Sequence, residues 1–300
     1  MMQFTDSHCH LDDKAFQAQL PYLLKQCAEL AINRIIVPAI APNNFDNVLN
    51  LAKQHHKNPI EIFPCLGIHP WFLQTLNDSH LELLSKKVTQ SKEDIIAIGE
   101  IGIDGAIIKR SDDPPAELAK QQHFFDFQLN LAKQHDLPVI IHHRQSHDKI
   151  MPFLQRYQLN KAGIIHGFTG SYQQAKAYVD LGYKLGVGST ITYSRAKKTI
   201  NTIKRLPLSS LVLETDAPSM PLSNEVTGIT VPAFPEKEHT EMENTTVVST
   251  ELAKQENIAP PANSPVNIIT IFELLTTIRT ESAEELASQL ERNIEQVFFS

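Results

Sequence analysis

The chain has 300 residues, 42% of them hydrophobic and 20% charged, and its 27 Lys and Arg against 34 Asp and Glu give a formal net charge of −7. That balance is ordinary for a globular enzyme and argues against an indiscriminate electrostatic grip on nucleic acid, though a local cationic site for phosphates stays open. No run of eighteen apolar residues marks a membrane span, and the opening Met1-Met2-Gln3-Phe4-Thr5-Asp6 lacks the basic-then-apolar order of a secretory leader. Three cysteines, Cys9, Cys27 and Cys65, follow no paired spacing, which fits a reducing compartment. A cytoplasmic protein with no membrane partner is expected, with a monomer favoured.

In chain order, short apolar and β-branched runs predict strands at Gln3–His8, Arg34–Ile40, Ile60–Ile68 and Ile95–Ile101. Four more follow at Pro138–His142, Gly163–His166, Tyr183–Val187 and Leu211–Glu214. Helical stripes lie between them: Leu20, Leu23, Leu24, Cys27 and Ala31 form one, and Val48, Leu49 and Ala52 begin another. Asp113-Pro114-Pro115 reads as a cap with proline in the first turn, continued by Leu118, Phe125, Leu129 and Ala132. Such alternation implies βαβ units and a parallel sheet. Eight of them predict an α/β fold, a (β/α)8 TIM barrel in which residues 1–300 form a single domain. Periodicity alone leaves an open doubly wound sheet as the alternative. Residues 221–265, rich in Glu, Thr, Pro and Asn and carrying prolines at 232, 235, 260, 261 and 265, break the rhythm. They are expected to be a loop insertion on the catalytic face, either a working lid or a tolerated surface loop. From Ile268 the helical pattern resumes and runs to the C-terminus.

In this architecture the chemistry sits where strands end and loops converge on one mouth. Strand one ends Asp6-Ser7-His8-Cys9-His10, and alternation puts His8 and His10 on one face with Cys9 on the other. Two adjacent imidazoles suit one metal, while Cys9 reads as a small packed hydrophobe. Glu100 stands in the apolar strand four, where a carboxylate is costly unless paired or metal-bound, and is a candidate bridge between two cations. Strands five and six each end in an imidazole after an apolar run, His142 and His166, and strand eight offers Asp216 as ligand and proton acceptor. Any one of these signals is weak. Metal-competent side chains at the same end of five strands carry the inference.

These residues resemble a known family. Asp6-Ser7-His8-Cys9-His10-Leu11-Asp12, Gly67-Ile68-His69-Pro70, Gly99-Glu100-Ile101-Gly102-Ile103-Asp104 and Pro138-Val139-Ile140-Ile141-His142 are similar to motifs of the TatD family of metal-dependent deoxyribonucleases, within the amidohydrolase superfamily. His166-Gly167-Phe168-Thr169-Gly170-Ser171 and Glu214-Thr215-Asp216-Ala217-Pro218 continue the match in family order, and the Gly-Val-Gly-Ser-Thr-Ile-Thr-Tyr segment at 186–193 resembles its YjjV-like branch. The resemblance implies that His8, His10 and Asp216 bind a first metal and that Glu100 bridges to a second held by His142 and His166. Two features depart from the family pattern: Gly105 stands where many relatives carry Tyr, and the insertion at 221–265 is longer.

A histidine-rich set with two carboxylates suits Zn, Mn, Fe or Co, and the resemblance also allows Mg. Two divalent cations are therefore expected, sharing a water whose pKa falls toward neutrality. Asp216 and Glu100 are the catalytic candidates, with Asp216 orienting the water and accepting its proton. His69 and Arg144 are candidate substrate contacts; for each the alternative is a local hydrogen bond or ion pair. Glu214, two residues before Asp216, is a candidate support for the ligands. The Gly167–Ser171 turn reads as a capped helix start before an anion site. By analogy the leading function is an exonuclease-type DNase acting on phosphodiesters, plausibly from a 3′ end. The main alternative is hydrolysis of another ester or amide, such as deacylation of D-aminoacyl-tRNA, and the remote one is a non-catalytic metal- or ligand-binding barrel.

Overall fold

The computed structural model describes residues 2–55, 60–226 and 263–300. Eight parallel strands follow one another around the sheet in sequence order: β1 Phe4–Asp6, β2 Ile32–Pro38, β3 Glu61–Leu66, β4 Ala97–Asp104, β5 Val139–Arg144, β6 Gly163–Ile165, β7 Lys184–Val187 and β8 Leu211–Leu213. Helices alternate with them, among them α1 Lys14–Gln17, α2 Leu20–Glu29, α3 Phe45–His55, α4 Asp78–Gln90, α5 Gly105–Arg110 and α6 Pro114–His135. The series continues with α7 His147–Tyr157, α8 Tyr172–Asp180, α9 Lys197–Arg205, α10 Ile268–Ile278 and α11 Ala283–Phe298. The architecture is the expected (β/α)8 barrel, and the open-sheet alternative falls with the seam between β8 and β1. There Ser7 N–H donates to the Leu213 carbonyl (3.0 Å), Asp216 N–H to His8 (2.8 Å) and His10 N–H to Ala217 (2.8 Å).

That seam explains a difference in boundaries. The sequence pattern carries the first strand to His8, but β1 pairs with β2 only through Asp6, and the next residues turn toward the end of β8. Beneath the seam Asp6 accepts from the Thr215 N–H (3.0 Å), the Thr215 hydroxyl and the His8 N–H (3.2 Å). In the other direction β4 runs to Asp104, beyond the expected Ile101, because its ladder with β5 continues through Asp104 and Arg144.

Inside the barrel, Ile36, Cys65, Ala97, Ile140, Ile164 and Val212 contribute one buried side chain from each of six strands, and Ile294, Val297 and Phe298 of α11 pack against them. Side chains alternate along a strand, so residues two further on share that inward face. From Ile140, Ile164 and Val212 these are His142, His166 and Glu214. The apolar layer is thus a floor for the polar groups above it.

The long helix α6 begins as its Asp-Pro-Pro start predicts, with Asp113 accepting from the Ala116 N–H (3.1 Å), and it ends at Asp136 in the left-handed region (φ 52°). Gln121 and Gln128 lie seven residues apart on its buried face. Gln128 Oε1 accepts from Ile68 N–H (2.7 Å) while its Nε2 donates to the Ile68 carbonyl (3.1 Å); Gln121 Oε1 accepts from Asp104 N–H (2.8 Å). These amides replace a missing strand neighbour just before His69 and at Asp104. Most of the insertion at 221–265 lies outside the described residues, but Asn263 Nδ2 donates to the carbonyls of Thr215 (2.8 Å), Ser219 (2.8 Å) and Met220 (3.0 Å). The two flanks are thereby joined at the mouth of the barrel. Among the described residues, no helix is long and apolar enough to cross a membrane.

Gln128→Ala leaves the Ile68 N–H and C=O buried without partners, and at about 1–3 kcal/mol for each such group the protein should lose about 2–6 kcal/mol of stability. Denaturant unfolding measures this, and an unchanged midpoint would mean that the loop before His69 needs no such support.

Candidate metal centre

Each candidate ligand projects from the end of its strand or the first residues beyond, and all converge on Glu100, which is 2% exposed. Glu100 Oε1 lies 3.0 Å from His166 Nε2, 3.1 Å from His69 Nε2 and 3.2 Å from His142 Nδ1. Its Oε2 lies 3.3 Å from His8 Nε2 and 3.4 Å from His10 Nε2. Asp216 Oδ1 faces the same pair, at 3.4 Å from His8 Nε2 and 3.5 Å from His10 Nε2, and those two nitrogens are 3.2 Å apart. The rings of His8 and His166 stack with centroids 3.9 Å apart. The structure therefore brings together all six expected ligands, together with His69.

The hydrogen bond at the far nitrogen of each ring decides what the near nitrogen offers. His142 Nε2 lies 3.0 Å from Asp104 Oδ2, and a carboxylate only accepts, so Nε2 donates to it and Nδ1 is the nitrogen turned toward Glu100. His10 Nδ1 likewise meets the Pro38 carbonyl at 3.3 Å, which turns the Nε2 lone pair inward. His69 is the reverse. Its Nδ1 accepts from the Trp71 N–H (3.0 Å), so its Nε2 carries the proton and donates to Glu100. Although His69 is as near to Glu100 as any ligand, this tautomer makes it a donor to the cluster.

Electrostatics describe the same site. Burial opposes a charge on Glu100, but His69, His166 and His8 around it hold its carboxyl well below the usual range. Burial also opposes a charge on His142, yet Asp104 and Glu100, one at each ring nitrogen, raise its pKa. For His166 the carboxylates Glu100, Asp216 and Glu214 outweigh burial and lift it to about 9. Burial lowers His8 and His69 to about 4, keeping both neutral. Nitrogens of His8, His10, His142 and His166 thus share one buried space with two carboxylates, and ligand atoms in groups such as His8, His10 and Asp216 lie within 4.8 Å of one another. Such a donor set fits divalent cations, which would take the place of protons held between the imidazoles and the carboxylates.

The remaining expected residues take their places around this cluster. Glu214 is buried, and burial lifts its carboxyl to about 8 although its Oε1 lies 3.8 Å from His166 Nδ1 and accepts from the Gly167 N–H. Its side chain occupies the space beside Gly186, where a β-carbon would stand 2.0 Å from Glu214 Oε2, so only glycine fits there. Arg144 ends β5 with its side chain 46% exposed and its Nη1 3.8 Å from Asp104 Oδ2. Cys9 is buried and faces the Ala217 carbonyl, away from the cluster. The Gly167–Ser171 turn is a capped start: Ser171 and Gln174 form a reciprocal capping box. Two residues were not singled out by the sequence reading. Asp104 is fully buried and accepts from Trp71 Nε1–H (2.7 Å), from the first amides of α5 and from His142, bonds that hold its carboxyl well below the usual range against the opposing effect of burial. Trp71 follows His69-Pro70 in the loop after β3. Its ring-to-carboxylate bond spans 33 residues, so the only local signal was the strand-end position itself. Above the cluster opens a cavity of about 580 Å³, lined by His10, Glu100, His142, His166 and Asp216 together with Asn44, Trp71, Phe72, Arg144, Thr169 and Met220.

The pattern of the TatD-related DNase family matches residues 5–299. The chain is 38% identical over 296 residues to the uncharacterized metal-dependent hydrolase YjjV of Escherichia coli, covering 99% of this chain and 98% of that protein. It is 37% identical over 300 residues to an uncharacterized metal-dependent hydrolase of Haemophilus influenzae, covering 99% and 100%. The crystal structure of the E. coli YjjV superposes with a TM-score of 0.81 at 37% identity, covering 99% of this chain and 98% of the other. A human protein named deoxyribonuclease TATDN3 is 28% identical over 225 residues, or 72% of this chain and 78% of that one. An eight-stranded barrel with histidines and carboxylates gathered at its C-terminal mouth defines the class, and the chain belongs to the TatD family of metal-dependent hydrolases.

Asp104→Ala removes the acceptor that fixes the His142 tautomer, and loss of such a support typically weakens metal binding about 10–100-fold. Chelator competition on the folded variant measures it; parent-like affinity would show that packing alone orients His142.

Proposed function

We propose that the protein hydrolyses phosphodiester bonds in DNA with two divalent cations, one held by His8, His10 and Asp216 and the other by His142 and His166, with Glu100 shared between them. The observation that carries this reading is Glu100 itself, a buried carboxylate with ligand nitrogens at both of its oxygens, in a chain that matches the TatD-related DNase family from end to end. Relatives named deoxyribonucleases support the choice of DNA. Bound cations would supply Lewis acidity toward a phosphoryl oxygen and lower the pKa of a coordinated water.

The chain's own residues do the rest. Burial opposes the charge on Asp216, but His10, His166 and His8 keep its carboxyl below the usual range, so it is ionised and able to accept a proton from attacking water. Its backbone sits in the left-handed region (φ 55°), which Asp tolerates better than most residues, and its N–H is fixed on the His8 carbonyl. His69 donates its one N–H to Glu100 and so holds that carboxylate in place beside the reacting group. Arg144 places a guanidinium on the same wall, where it can meet a phosphate.

Metal analysis of the protein purified without added metal should give about two equivalents, and a His142→Ala, His166→Ala variant should hold about one while remaining folded. Equal metal in both proteins would remove β5 and β6 from the site. In parallel, single-stranded DNA and a small ester are offered to the parent under matched metal loading; hydrolysis of the ester alone would replace the nuclease reading by the ester-hydrolase one. Asp216→Asn, loaded to the metal content of the parent, should lower kcat by about 10²–10⁴-fold, and full activity in that variant would assign the proton to another group.

A further inference from the structure

The cavity carries an aromatic feature that the chemistry above does not use. Trp71 and Phe72 lie on the short turn Pro70–Phe72 directly after His69, and they are 52% and 41% exposed. Both line the cavity that holds Glu100 and Arg144. An uncovered tryptophan is ordinarily free to move, but this one is fixed at two points: its Nε1–H donates to the fully buried Asp104 (2.7 Å) and its backbone N–H donates to His69 (3.0 Å). The ring is thus held by its polar edge, its centroid 6.2 Å from that of His142 and 5.4 Å from that of His69, while more than half of the residue stays uncovered. A rigid aromatic surface, apolar and open, about one nucleotide from the groups that would hold a scissile phosphate is what a nucleobase requires, because every base has a face to stack.

We propose that Trp71, flanked by Phe72, is a base-stacking subsite for the nucleotide adjoining the scissile bond, with Arg144 on the same wall meeting its phosphate. The proposal rests on the nuclease reading. It adds that the protein holds its substrate by a base as well as by phosphates.

Trp71 is the single tryptophan of the chain, so intrinsic fluorescence reports on this position alone. The metal-loaded Asp216→Asn variant is titrated with a thymidine tetramer and with a tetramer of the same sugar–phosphate backbone lacking bases. The expected result is quenching by the base-bearing tetramer, with about tenfold tighter binding than the base-free one. Equal quenching and equal affinity would overturn the subsite. Steady-state kinetics on the parent background separate stacking from the tether to Asp104, since Trp71→Phe keeps a ring and loses the indole N–H while Trp71→Leu loses both. Stacking predicts KM within about threefold of the parent for Phe and at least about tenfold higher for Leu, with the lost tether lowering kcat in both. A KM that moves equally in both variants, or in neither, refutes stacking. If the parent cleaves no DNA while the base-bearing tetramer still quenches Trp71, the nuclease reading falls and with it the scissile-bond assignment, leaving Trp71 a base-binding surface. If DNA is cleaved and the two tetramers bind alike, the subsite falls and the nuclease reading stands.

Discussion

The site is organised by one buried charge. Glu100 sits at the mouth of a barrel whose next inward layer is apolar, and an isolated carboxylate there would cost several kcal/mol. Five imidazoles within 3.4 Å of its two oxygens offset that cost. Because the offset depends on direction, each ring must be held from behind, and the Pro38 carbonyl, Asp104 and the Trp71 N–H perform this for His10, His142 and His69. The geometry is preorganised: the nitrogens that would coordinate cations are set in place by the fold before any cation binds.

The same construction closes the barrel. His8, His10 and Asp216 lie on the seam between β8 and the segment after β1, where Asp216 N–H and His10 N–H supply two of the hydrogen bonds that join the edges. Asp6 lies beneath them, burial lifting its carboxyl to about 7 against the hydrogen bonds from Thr215 and His8. Closing a barrel requires its first and last strands to meet in one register. Here that register is also what places a carboxylate opposite two imidazoles. Fold stability and ligand geometry are therefore coupled most tightly at this seam.

The strand ends were legible in the sequence because parallel buried strands are short apolar runs, and a His, Glu or Asp directly after such a run stands out. Alternation then separated His8 and His10 from Cys9 correctly. What escaped was set by long-range pairing. Nothing local to Asp104 says that its carboxylate accepts a hydrogen bond from a ring 38 residues away or from an indole 33 residues before it. Gln121 and Gln128 read as polar interruptions of a helix face, although both are buried and bonded to the backbone that carries Asp104 and His69. Strand limits shifted where the ladder was decided by the neighbouring strand rather than by composition, as at β1 and β4. The expectation of a lid or loop at 221–265 falls mainly outside the described residues.

His69 and His142 show why proximity alone cannot assign a ligand. Both approach Glu100 Oε1, at 3.1 and 3.2 Å, and their ring centroids are 4.3 Å apart. Their roles are nevertheless opposite, because a backbone N–H meets the far nitrogen of one ring and a carboxylate meets the far nitrogen of the other. Both of those far-side groups involve Trp71, whose amide donates to His69 and whose indole donates to the carboxylate that orients His142. One residue at the rim therefore helps to set which histidine gives a proton and which gives a lone pair. A residue so placed couples the uncovered surface of the cavity to the buried charge at its base through two hydrogen bonds, one from its backbone and one from its ring.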